Sequence, residues 1–84
     1  MTFEEFDKAH MYNFRKDRLA IAKDHGFDFI SEATVGLYLN LRSTIKVGKL
    51  LGISAAAALV EINQLYMAGL CPYKRGRGGR YDNS

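Results

Sequence analysis

Four cations fall within seven residues near the end of this 84-residue chain: Lys74, Arg75, Arg77 and Arg80, interleaved with Gly76, Gly78 and Gly79. Guanidinium and ammonium groups at that density suit phosphate recognition, by charge and by forked hydrogen bonds. Elsewhere the charges balance. Residues 1–26 carry equal numbers of acidic and basic side chains, and residues 27–69 set Asp28, Glu32 and Glu61 against Arg42, Lys46 and Lys49. The formal net charge of +3 therefore arises after residue 69, and a polyanionic partner is the expectation.

Other reactive residue types point to no catalysis. His10 and His25 lack a set of ligands at metal-binding spacing, so neither a metal nor another cofactor is expected. Cys71 stands beside Pro72 with no His–Asp arrangement to activate it, and reads as a buried thiol. A lone cysteine makes no internal disulfide and suits a reducing compartment. Glu4, Glu5 and Asp7 cluster where a helix N-terminus favours negative charge. The stretch GRGG at 76–79 lacks the lysine–serine pair of a nucleotide-binding loop. No apolar run approaches the roughly 18 residues of a membrane span, and MTFEEFDKAH lacks the basic-then-apolar layout of a signal peptide. A cytoplasmic protein without enzymatic activity is the expectation.

What elements would position the cations? Hydrophobic residues make up 48% and charged residues 25% of the chain, a globular profile. Residues 1–84 are read as one domain. Thr2 and Glu5 form a capping box, and Phe3, Phe6, His10, Phe14 and Ile21 recur at near-helical spacing up to Gly26. The pattern predicts one long amphipathic helix over 3–24, a break in its middle being left open. It either covers the core or hides its phenylalanines against a second copy. In residues 29–42, Val35, Leu37, Leu39 and Leu41 alternate as in a strand, whereas Ile30, Ala33, Leu37 and Leu41 follow a helical stripe with Ser31 as N-cap. The flanking helices favour the helical reading.

Residues 44–51 predict a short helix capped by Thr44 and burying Val47, Leu50 and Leu51. Gly52 ends it in the left-handed conformation, and Ser54 caps the next helix. That helix runs to about Met67 and stops at Gly69, with Ala58, Ile62, Leu65 and Tyr66 as its inner stripe. Beyond it, Leu70–Lys74 reads as a strand, Arg77-Gly78-Gly79 as a tight turn, and Arg80–Asp82 as the return strand.

Residues 44–82 resemble the winged helix-turn-helix of bacterial and viral transcription regulators. TIKVGKLLGIS matches the first helix and turn, AAAALVEINQLYMAGL the second helix, and YKRGRGGRY the basic glycine-tipped wing. Leu65, Gly69 and Leu70 fill the exit positions at the family's spacing, and Gly48 stands where the family usually has alanine, keeping a small residue at the helix crossing. The resemblance implies a winged helix-turn-helix at 44–69 and 70–82; with the extra long N-terminal helix and the 29–42 helix, which lie outside it, the expected fold is mostly α. The resemblance also implies double-stranded DNA as partner and a homodimer, with the N-terminal helix as one route to pairing. The implied DNA-contacting residues are Thr44, Lys46, Lys49, Ser54, Ala56, Ala57, Val60, Asn63, Gln64, Lys74, Arg75, Arg77 and Arg80.

One departure from the family is large. The second helix begins with four alanines, and none of its outward positions (Ser54, Ala56, Ala57, Val60, Asn63, Gln64 and Met67) is a lysine or arginine. Bidentate reading of guanine is thus unavailable to it. Methyl contacts to thymine, with hydrogen bonds from Ser54, Asn63 and Gln64, would have to serve. Two alternatives stand beside this. The Ala56, Val60 and Met67 face is a protein docking or dimerisation surface, or the alanines are simply good helix formers lying beneath the N-terminal helix. A minor reading has the arginine–glycine hairpin binding RNA, with Tyr73 and Tyr81 as stacking platforms.

Overall fold

The structure, a computed structural model, describes residues 1–10 and 16–72. Within them lie five helices: α1 (Phe3–His10), α2 (Lys16–Asp24), α3 (Ile30–Leu41), α4 (Thr44–Leu51) and α5 (Ala55–Met67). Helix α3 is the hub and touches each of the other four. Ile30, Ala33, Thr34, Val35, Leu37 and Tyr38 of α3 are all buried. A helix wrapped on most sides must be apolar on most sides. That explains why its sequence carries both an alternating and a helical pattern: Val35 and Leu37 are buried on different faces of one helix. The helical reading of 29–42 holds.

Its start differs from expectation. Ser31 is not the N-cap; Phe29 occupies that position and offers no side-chain cap. The orphan amides of Ile30 and Ser31 instead donate to the two carboxylate oxygens of Asp7, at 2.8 and 3.0 Å. Ser31 is fully buried, and its hydroxyl donates to the Phe3 carbonyl at 3.2 Å. A residue of α1 thus does the capping that the local sequence of α3 omits. Asp7, read from its neighbours as serving its own helix, serves another.

Two helices occupy the segment expected to be one over 3–24. Thr2 and Glu5 do form the capping box: the Thr2 amide donates to Glu5 at 2.8 Å and the Glu5 amide to the Thr2 hydroxyl at 3.1 Å. On a straight helix, however, Ala22 would point about 160° away from Phe6, and both are buried. Both α1 and α2 pack against α3, and residues 11–15 lie outside the described residues. Gly26, at φ +88°, closes the end of α2 as expected.

The α4–α5 joint follows the sequence closely, with two changes at α4. Ser43, not Thr44, is its N-cap, the hydroxyl accepting from the Lys46 amide at 3.3 Å. Leu50 is exposed, not buried. Residues 44, 47, 48 and 51 share one helical face, and that face is the one α4 turns inward. Gly52 adopts φ +74°, a conformation open to glycine at little cost. Two residues on, the Ser54 hydroxyl accepts from the Ala57 amide at 3.0 Å and caps α5. Gly48 packs against the backbone of the turn that leads into α5: a Cβ there would lie 2.6 Å from the Ile53 carbonyl oxygen.

The expected β-hairpin wing over 70–82 is not seen, and no strand is present among the described residues. The Leu70 amide returns to the Leu65 carbonyl at 2.9 Å, closing α5 beside Gly69 at φ +79°. Cys71 is buried in the helical core. Residues 70–71 therefore finish a helix rather than begin a ladder, and 73–82 lie outside the described residues. The fold described is all-helical.

Candidate nucleic-acid interface and its supporting core

Helix α5 divides into an inner and an outer face. Ala58, Ile62 and Leu65 are fully buried, as the sequence stripe predicts, whereas Tyr66 is exposed. At about 100° per residue, Ala56, Ala57, Val60, Asn63, Gln64 and Met67 fall within an arc of about 120° on the other side. Ala56, Ala57, Val60, Gln64 and Met67 are indeed exposed, Val60 by 55% and Met67 by 78%. The alanines at 56 and 57 do not lie beneath α1. Lys46 and Lys49 are exposed on the neighbouring α4, together with Ile45.

Three of the sequence-predicted residues are less available than their neighbours. Thr44 is buried at the start of α4. Ser54 is exposed, but its hydroxyl is engaged with the Ala57 amide. Asn63 is half-buried, and its side-chain oxygen has no hydrogen-bond partner among the described residues. Lys74, Arg75, Arg77 and Arg80 lie outside the described residues.

The two ends of the outer face differ. Toward its C-terminus, α5 forms one wall of an open apolar groove of about 490 Å³. Val60, Gln64 and Met67 face Met1, Phe6 and His10 across it. His10 is fixed there by stacking on Phe6, ring centroids 4.1 Å apart, and by a 2.9 Å hydrogen bond between its Nδ1 and the Phe6 carbonyl. Toward its N-terminus, the helix borders a second cleft of about 370 Å³ reaching Ile53, Ala57 and, at depth, Arg18 and Glu61.

That pair was not singled out by sequence. Arg18 is 4% and Glu61 7% exposed. The guanidinium holds both carboxylate oxygens at 3.0 Å, a bidentate fork, and donates to the Thr34 hydroxyl at 3.2 Å. The Thr34 hydroxyl in turn lies 2.5 Å from Glu61 Oε2 and 3.1 Å from the Ile30 carbonyl. Helices α2, α3 and α5 thus meet at one buried charge cluster. The clue in the sequence is positional. Glu61 flanks the apolar stripe Ala58, Ile62, Leu65 at its edge, and a buried carboxylate there needs a cationic partner.

Comparison with family models, curated proteins and solved structures returned no match to the chain. Among the described residues, no helix is long and apolar enough to cross a membrane.

Proposed function

We propose that this chain binds double-stranded DNA through the α4–α5 unit, as a small cytoplasmic regulator of transcription. The observation that carries the reading is the uncovered N-terminal half of α5. Ala56, Ala57 and Val60 are exposed, as are Lys46 and Lys49 on α4, the helix joined to α5 by the short turn at Gly52. Methyl side chains let the helix backbone approach a groove floor closely and match thymine methyls. Gln64 supplies a hydrogen-bonding amide on the same face. The positive end of α5 and the two lysines attract phosphates. In sequence, Lys74, Arg75, Arg77 and Arg80 follow directly and add the charge that dominates affinity for a polyanion.

Titration of a labelled duplex at several salt concentrations tests this. Affinity is expected to fall steeply with salt, and the Arg75→Ala/Arg77→Ala variant to lose about one unit of log–log slope per arginine. Ala57→Glu, which sets a carboxylate on the open face, is expected to weaken binding at least about tenfold, the effect of ~1.4 kcal/mol. Binding that is absent, or indifferent to salt and to Ala57→Glu, rejects the reading.

A second reading is favoured by the apolar groove between α1 and the C-terminal half of α5: pairing with a second copy of the chain, with Met67 as the projecting residue. Two-fold pairing would double the contacts on a palindromic site. Met67→Glu is expected to abolish self-association in sedimentation experiments. An unchanged sedimentation profile rejects this mode.

A further inference from the structure

Helix α5, AAAALVEINQLYM, is apolar on nearly all sides; Glu61, Asn63 and Gln64 are its polar side chains apart from the Tyr66 hydroxyl. Hydrophobic burial is non-directional. Ile62 and Leu65 inside and the amides Asn63 and Gln64 outside decide coarsely which side of α5 faces in, but with alanines at 56, 57 and 58 a turn of a few tens of degrees about the axis changes apolar burial little. Glu61 settles that finer rotation. It lies at the border between the two faces, about 40° around the axis from Ala57 and from Leu65. There its carboxylate is held from α2 by both Arg18 terminal nitrogens and from α3 by Thr34. Release by α2 would part the buried carboxylate from its guanidinium, a strongly disfavoured state, and release by α3 would cost it the Thr34 hydroxyl bond. A bidentate fork fixes the plane of the carboxylate as well as its position.

We infer that Arg18, Glu61 and Thr34 are positioning residues that set the rotation of α5 about its own axis, and so decide which of its methyl groups form the open face. The cluster is a rotational lock rather than a source of stability. Buried ion pairs replaced by apolar groups of similar size often leave a fold as stable or more so, while a polar group buried in an apolar seam can fix register. What this means for DNA recognition rests on the function proposed above; the rotational claim itself does not.

The test is solvent exposure of methyl groups along α5, read by nuclear magnetic resonance with a soluble gadolinium chelate. In the wild-type chain Ala56, Ala57 and Val60 methyls relax strongly and those of Ala58 and Ile62 are protected. In the Arg18→Met/Glu61→Leu variant the melting temperature is expected to be unchanged or higher. The contrast between Ala57 and Ala58 should nonetheless fall severalfold toward parity, or the signals broaden through exchange. Arg18→Lys, which keeps the charge but loses the fork, is expected to give intermediate contrast. Wild-type contrast retained in either folded variant overturns the inference. A duplex titration of the same proteins runs alongside. Lost contrast in variants of a wild-type chain that binds no duplex leaves the lock standing and removes the DNA reading.

Discussion

The α4–α5 joint and the attachment of the N-terminal helices are built by opposite means. At the joint every determinant is local. Ser43 and Ser54 cap helices that begin one residue later, Gly52 turns the chain between them, and Gly48 makes room for the turn backbone at Ile53 and Ser54, within six residues of it. The N-terminal half is attached by polar bonds that span the chain: Asp7 to the amides of Ile30 and Ser31, and Arg18 to Glu61, 43 positions away. Short-range chemistry shapes the unit proposed to meet DNA, and long-range chemistry orients it.

If that contrast is right, the largest stability loss comes from breaking the long-range charge pair on one side only. Glu61→Ala leaves the Arg18 guanidinium buried without its carboxylate, and urea denaturation should show a loss of about 3–5 kcal/mol. Gly48→Ala comes next and carries an informative sign. In an open helix this change stabilises by roughly 0.5–1 kcal/mol. Here the added methyl meets the Ile53 carbonyl oxygen at 2.6 Å, so a thermal melt is expected to show destabilisation of about 1–3 kcal/mol. Asp7→Ala removes the distant cap of α3 and should cost about 0.5–2 kcal/mol, with hydrogen exchange speeding first at the amides of Ile30 and Ser31.

The smallest effect concerns the capping box. The Thr2 amide, by its hydrogen bond, holds the exposed Glu5 carboxyl below its ordinary value of 4.5. A lowered folded-state value means that this contribution is present above about pH 4.5 and fades as pH falls through the depressed value. Helical signals of α1 residues should therefore weaken at acid pH in the wild-type chain, and Glu5→Gln should flatten that dependence.

This contrast also explains what could be read in the sequence. The Ser54 cap, the Gly52, Gly26 and Gly69 stops, the Ala58–Ile62–Leu65 stripe, the Thr2–Glu5 box and the small residue at 48 are short-range features with fixed spacing, and they were legible. The open arc of α5 was legible for the same reason. Asp7 was not, because nothing near it in sequence says that it caps a helix starting 23 residues later. Thr44, read as the cap of α4, gives way to Ser43: both are hydroxyl residues, and which one caps depends on the face α4 turns inward. The wing was expected from residues 70–82 by their turn-forming glycines, yet the amide of Leu70 is taken by the α5 terminus and Cys71 by the core. Glu61 leaves a local sign, a carboxylate beside the buried stripe of α5, whereas Arg18 lies among exposed neighbours and leaves none; their pairing is set by three helices meeting.

The methyl-lined outer face of α5 is the surface proposed to meet duplex DNA. Amide and methyl resonances followed during addition of a short duplex test it most directly. Shifts are expected to concentrate at Lys46, Lys49, Ser54, Ala56, Ala57 and Val60 and to grow smaller toward α3. Shifts that leave Ala56, Ala57 and Val60 unmoved while the duplex binds elsewhere on the chain would contradict it.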